Sequence, residues 1–347
     1  MRRRQWLLGT LVAIGGCAAS GQRTGGRAQS DEAVYFDAAR GLRVPLREVR
    51  HRVREAPLLL MGEVHDNLAH HAVRAALLRD WLRERQQRPA AVVFEQLDRE
   101  HDDALAEAQR AGRAAVDDRG GRHAGNAEAG GQATVEGLLD AARFDRAGWG
   151  WPAHRPLFEA ALQGDARWIA ANLSRASART LRRDSGVPLD PALQAVVESA
   201  RWGDDAQAAL ERALSRGHCG ALPESVLPAV VRAQRLRDAA LALPLLDAAE
   251  RPSVLLAGNG HVRRDFGVPR YLGALEYEAL VIGFEELAPA DDGGAGGPTV
   301  GAAGRERSLA RLLGDERAAE IRAGFDLVAF TAAPPGREDP CRQFRAG

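Results

Sequence analysis

The sequence predicts an α/β fold, a central mainly parallel sheet with helices on both faces and an inserted helical subdomain, and three observations lead there. Five runs, at residues 57–61, 91–94, 253–257, 280–282 and 326–330, have strand length and lack polar alternation, which marks strands covered on both faces. Segments with helical spacing separate them: Leu77, Leu78, Trp81 and Leu82 form one face after the first run, and Val226, Val230, Leu236 and Leu241 form another before the third. Strands interleaved with helices favour parallel pairing. Between residues 138 and 246 the pattern is almost wholly helical, which places the inserted subdomain between the second and third strands.

Along the chain, Met1-Arg2-Arg3-Arg4 is a positive n-region and residues 7–14 are a short, mostly apolar h-region, the pattern of a signal peptide. That run falls far short of the roughly 20 apolar residues of a membrane-spanning helix, and no later stretch is long enough. Arg3-Arg4-Gln5-Trp6-Leu7 also resembles a twin-arginine export signal, so both export routes stay open. Ile14-Gly15-Gly16-Cys17 resembles the bacterial lipobox, which makes residues 1–17 a lipoprotein signal peptide and Cys17 the lipidated N-terminus. Ala18 follows where an aspartate would favour the inner membrane, and the expected location is the outer membrane, facing the periplasm. Residues 18–31 are small and polar, a flexible tether. The folded domain is expected over 32–345, with mobile insertions at 111–134 and 291–304, two stretches with no apolar periodicity.

Composition narrows the function classes. The 347 residues carry 47 basic and 47 acidic side chains, and no basic patch argues for nucleic acid. Every basic residue is arginine, which reads as a solvated exterior. With Cys17 lipidated, Cys219 and Cys341 remain, and two cysteines in an exported chain predict one disulfide.

Two tetrapeptides carry the chemistry. Gly62-Glu63-Val64-His65 and Gly258-Asn259-Gly260-His261 each follow a buried-strand run directly, and Glu95 follows Val92-Val93-Phe94 in the same way. In parallel sheets the functional crevice lies beyond the carboxyl ends of the strands, so Glu63, His65, Glu95 and His261 are expected in one site. Such a set suits a divalent metal ion, or a water activated for hydrolysis. Asp66 or Asn67 is expected to cap the next helix. Of His70 and His71 at least one is expected in solvent, since neighbours on a helix diverge by about 100°. His51, His101, His123 and His154, among charged or loop residues, are read as surface.

Taken with His70-His71, Phe94-Glu95-Gln96, Trp151, Ala171-Asn172, His218-Cys219-Gly220, Gln234-Arg235-Leu236-Arg237-Asp238, Gly267-Val268-Pro269 and Asp339-Pro340-Cys341, these motifs resemble the ChaN-like family in order and spacing. The resemblance implies a haem-binding lipoprotein supporting iron acquisition, in a larger group that includes Tiki-type metalloproteases and erythromycin esterases. It implies haem held without covalent linkage, and the chain has no Cys-x-x-Cys-His attachment motif. His65, His261 and Tyr271 are the expected haem-facing residues, Tyr271 as a phenolate because it follows the Gly267-Val268-Pro269 block near the His261 loop. Tyr35 and Tyr277 complete the tyrosines, and Tyr277, just before an apolar run, is read as structural. A homodimer and an outer-membrane haem receptor are implied as partners, and a metal- or histidine-dependent hydrolase at Glu63, His65, Glu95 and His261 is the rival function.

Overall fold

A computed structural model describes residues 33–85, 90–120, 133–183, 186–249, 251–287, 300–337 and 341–342. Eight strands form one sheet: β1 (Val34–Asp37), β2 (Leu42–Val44), β3 (Leu58–Met61), β4 (Ala91–Asp98), β5 (Arg167–Asn172), β6 (Ser253–Leu256), β7 (Ala279–Leu287) and β8 (Leu327–Ala332). Their order is β2-β1-β8-β7-β3-β6-β4-β5. The six strands from β8 to β5 are parallel, and β1 and β2 add an antiparallel hairpin at one edge. This is the mainly parallel α/β sheet that the apolar runs predict. All five runs are strands.

Alternate side chains of each strand enter two separate cores. Leu59, Met61, Val92, Phe94, Val254 and Leu256 face one side, and Leu58, Leu60, Val93 and Leu255 face the other. The first face is covered by α1 (Leu46–Glu55), α2 (Leu68–Arg83), α3 (Asp102–Gly120), α4 (Val135–Ala141) and α5 (Arg155–Gln163). The second is covered chiefly by α6 (Arg175–Arg183), α7 (Pro191–Ser199) and α9 (Leu227–Ala242), with α8 (Asp204–Gly217) packed outside α9. The short α10 (Asn259–Val262) follows β6, and α11 (Val300–Arg305), α12 (Leu309–Leu313) and α13 (Asp315–Gly324) precede β8.

One strand breaks the helical stretch of residues 138–246. Arg167-Trp168-Ile169-Ala170-Ala171-Asn172 is alanine-rich and flanked by helices, so local propensity reads helix. Pairing with β4 overrides it, because Trp168 and Ile169 then bury on opposite faces of the sheet. Residues 1–17, Cys17 and the tether at 18–31 lie outside the described residues, as do 121–132 and 291–299 of the two presumed insertions. The start of the first, residues 111–120, continues α3, and residues 300–304 of the second belong to α11. Cys219 and Cys341 form a disulfide with Cα atoms 5.4 Å apart, across a separation of 122 residues. Among the described residues no helix is long and apolar enough to cross a membrane.

Candidate ligand-binding crevice

The three motif strands are neighbours, with β6 between β3 and β4, so their carboxyl ends deliver Glu63, His65, Glu95 and His261 to one place. Asn259 locks this end of the sheet. Its main-chain NH donates to Glu63 O at 2.9 Å, while its side chain accepts from Phe284 NH at 2.9 Å and donates to Phe284 O at 2.5 Å. Gly62 lies under that amide: a Cβ there would stand 2.1 Å from Asn259 Oδ1, so only glycine leaves it room.

Glu63 is buried at the centre. Its Oε1 meets His65 Nδ1 at 2.9 Å, Gln96 Nε2 at 3.1 Å and His154 Nε2 at 3.3 Å. Its Oε2 pairs with the Arg74 guanidinium and lies 3.3 Å from His71 Nε2. Arg74 is fully buried, and its other nitrogen donates to Met61 O at 3.0 Å. A buried carboxylate needs this density of partners.

Glu95 closes the second half. Its Oε2 accepts from Gly258 NH at 2.6 Å, and its Oε1 lies 3.2 Å from His261 Nε2. His261 in turn presents Nδ1 to Asp238 Oδ1 at 2.5 Å. Burial disfavours charge on the imidazole, but Glu95 and Asp238 on either side outweigh it and push His261 up to about 10. It is an imidazolium held between two carboxylates. Burial likewise acts to raise Glu95, and His261 and His65 overcome it, holding its carboxyl well below the usual range. Asp238 is pushed up to about 6 by burial, against the pull of His261.

The four expected residues therefore meet, but as two half-sites and not as one cluster of donors. His65 spans them: Nδ1 is bonded to Glu63, and Nε2 stands 4.0 Å from Glu95 Oε1. Its side chain is 49% exposed, whereas those of Glu63, Glu95 and His261 are below 10%. His65 is the member of the four that solvent reaches. Trp149 packs edge-on against it, with ring centroids 5.2 Å apart. Gly258 lies against the other side of the ring, where a Cβ would be 2.9 Å from Nε2 and Cε1.

Three expectations are corrected. Tyr271 does not reach the crevice: it is 3% exposed and packs in the second core against Trp202. Burial, and then the nearby Asp238 carboxylate, push its phenol well above the ordinary range, so a phenolate ligand is disfavoured there. His70 and His71 are both buried, not one in solvent, because α2 is enclosed by the sheet on one side and by α1 and α5 on others. His70 Nδ1 accepts from Val64 NH at 3.0 Å, behind the cap formed by Asn67, which accepts from Ala69 NH and His70 NH. His154 is not a surface residue; it is 1% exposed and stacks on His71 with ring centroids 4.0 Å apart. His51 is exposed and His101 half-buried, while His123 and the side chain of Tyr277 lie outside the described residues.

Sequence reasoning missed Arg74, His71, His154 and Asp238. The signals available were an arginine set between Val73 and Ala75, a lone aspartate in a helix rich in Ala and Leu, and a histidine near Trp149 and Trp151 in a loop too aromatic to be solvated.

No curated protein matches the chain in sequence. Among solved structures the chain is similar to ChaN of Campylobacter jejuni, described for its cofacial heme binding, at 16% identity over 86% of this chain and 96% of that one, with a TM-score of 0.59. It is also similar to a mutant of the erythromycin esterase EreC in its open conformation, at 14% identity over 85% of this chain and 95% of that one, with a TM-score of 0.40. At these identities the first likeness is one of fold, and the second is too distant to argue from. A family profile described as haem-binding uptake, Tiki superfamily, ChaN matches residues 49–272, which span α1 to the turn after α10 and so take in both half-sites. The chain belongs to the ChaN haem-binding uptake family of the Tiki superfamily.

Proposed function

We propose that this chain binds haem reversibly at the mouth of the crevice, with His65 facing the iron. The observation that carries the reading is the state of His65. Its Nδ1–H is committed to the buried Glu63 carboxylate at 2.9 Å while half of the side chain remains open to solvent. A carboxylate behind an imidazole fixes the tautomer and leaves the Nε2 lone pair unspent, which is the arrangement of a metal-ligating histidine. Haem iron accepts such a nitrogen as an axial ligand. Trp149 beside the ring supplies an apolar edge for a planar macrocycle. His261, protonated between Glu95 and Asp238, has no lone pair to give, so its part is to fix Glu95 and the floor of the crevice.

Family membership and a lipobox-like Cys17 support placing this binding on a lipid-anchored protein that serves iron acquisition from the periplasmic face of the outer membrane. Ligation from one side leaves the other face of the iron for water or for a second copy of the chain; the cofacial heme of the Campylobacter jejuni protein supports a pairing of two copies. Hemin titration of the chain is expected to give a saturable Soret shift. His65→Ala should weaken it by tenfold or more, with the far-ultraviolet dichroism unchanged. An unaltered Soret titration in His65→Ala overturns the assignment.

The same His65–Glu63 pair favours a second reading, because an imidazole oriented by a carboxylate is also a general base. In that reading the chain is a hydrolase. Hydrolysis of an activated ester lost in His65→Ala would favour it over haem storage.

A further inference from the structure

We propose that Glu63, His71 and His154 form a site for a zinc-class divalent ion beneath the haem crevice. Among the described residues these are the three His, Cys, Asp or Glu side chains whose ligand atoms all lie within 4.8 Å of one another, and all three are buried. The donor set expected from sequence, with His65, Glu95 and His261, is not the one that converges. Its two histidines differ from the haem-facing His65, and Glu63 is common to both sites.

The hydrogen bonds set the tautomers. His71 Nδ1 is 3.0 Å from Ala153 O and His154 Nδ1 is 3.1 Å from Trp149 O. A carbonyl oxygen only accepts, so each Nδ1 carries the proton and each Nε2 turns inward. In a neutral ring bonded in this way, each Nε2 is a bare lone pair. His71 Nε2 lies 3.3 Å from Glu63 Oε2, and His154 Nε2 lies 3.3 Å from Glu63 Oε1. Both contacts set acceptor against acceptor. His71 Nε2 has no hydrogen-bond partner although it is buried, which is unfavourable unless something electropositive stands there.

A cation between the three removes the conflict. Donors held at about 2.1 Å around a tetrahedral ion stand roughly 3.4 Å from one another, and each imidazole nitrogen already lies 3.3 Å from one oxygen of Glu63, Oε2 for His71 and Oε1 for His154. Two imidazoles with backbone-bonded Nδ1–H and one carboxylate are the ligands and the outer contacts of a zinc site with an open fourth position. Imidazole with carboxylate selects zinc and its neighbours over calcium or magnesium, which take oxygen alone. The Arg74 guanidinium already neutralises Glu63, so a divalent ion brings excess positive charge into a buried space. A hydroxide in the fourth position offsets one unit of it, and zinc lowers its bound water to about 7. His65 shares Glu63 Oε1 with His154 and stands between the triad and solvent.

Calorimetric titration of the metal-depleted full chain with Zn2+ is expected to give one site per chain. Its Co2+ form should show the intense visible bands of a four-coordinate ion. His154→Ala and His71→Ala should each weaken Zn2+ by about 100-fold, and His51→Ala, at an exposed position, should leave it unchanged. A full chain that binds no Zn2+, or one whose two histidine variants bind Zn2+ as the parent does, overturns the proposal. His154→Gln keeps a buried polar group, so its loss of Zn2+ with an unchanged thermal transition separates ligation from folding. Hemin titration of the same variants reads the His65 assignment separately.

Discussion

Replacing His261 with alanine removes the cation from between two buried carboxylates, and the cost falls on stability. In the folded protein Nε2 lies 3.2 Å from Glu95 Oε1 and Nδ1 lies 2.5 Å from Asp238 Oδ1. Taking one partner out of a buried charged set costs about 3–5 kcal/mol, because the remaining charges are left uncompensated. In a domain of this size that lowers the melting temperature by roughly 6–15 °C. The dependence on pH follows from the imidazole, whose value rises from 6.5 to about 10 on folding. A raised value stabilises fully below the unfolded value and is lost as pH rises through the folded one, so the bridge holds below about pH 6.5 and fades toward about pH 10. Urea denaturation followed by tryptophan fluorescence should show a wide gap between the parent and His261→Ala near pH 7 that narrows toward pH 10. Asp238→Asn added to His261→Ala should recover part of the loss by removing one stranded charge. A gap under about 1 kcal/mol near pH 7, or one that widens with pH, refutes the imidazolium bridge.

Gly258→Ala puts a methyl group 2.9 Å from Nε2 of His65; the backbone there is ordinary (φ −65°), so the fold should survive while the ring is pushed aside and hemin binds about tenfold more weakly by Soret titration. Reduction of the Cys219–Cys341 bridge, which closes a loop of 122 residues, should cost about 4–5 kcal/mol on the chain-entropy account; two free thiols in the denatured, unreduced chain would exclude the bridge. Cys17→Ser should move the protein from the membrane fraction to the soluble one, and mass spectrometry of the parent should find an acylated N-terminal cysteine; an unmodified N-terminus beyond residue 18 counts against the anchor.

The sheet was legible because its central strands lie in the interior. Leu58 to Met61 and Val254 to Leu256 touch protein on both faces, and such strands announce themselves as unbroken apolar runs. β5 is alanine-rich and flanked by helices, and β2 of the edge hairpin has three residues, two of them exposed, so their local signal fades. The crevice was half legible for a related reason. Glu63, His65, Glu95 and His261 follow strand ends, so one rule about parallel sheets brings them together. Arg74, His71, His154 and Asp238 come from helices and a loop packed over those ends, and their meeting depends on tertiary packing. His71 illustrates this: helical geometry separates it from His70, but it gives no indication that α2 is enclosed on nearly every side. Tyr271 shows the opposite error. Nearness to the His261 loop in sequence suggested the crevice, but its side chain packs into the second core, close enough to Asp238 to feel its charge.

The pairing of β1 with β8 has a consequence for how the chain is made. Val34 lies opposite Phe330 and Asp37 opposite Leu327, so the earliest strand to be synthesised waits for the latest before its outer partner exists. Until then it has only β2, and a two-stranded hairpin is marginal in water by itself. Contacts this remote in sequence slow folding, and meanwhile Tyr35 and Phe36, both buried in the finished protein, stay open to other chains. A ribosome that stops before residue 327 therefore releases a product with two bare strand edges, β1 and β7, a template for aggregation. Quality control acting on this protein has most reason to watch for chains that lack β8.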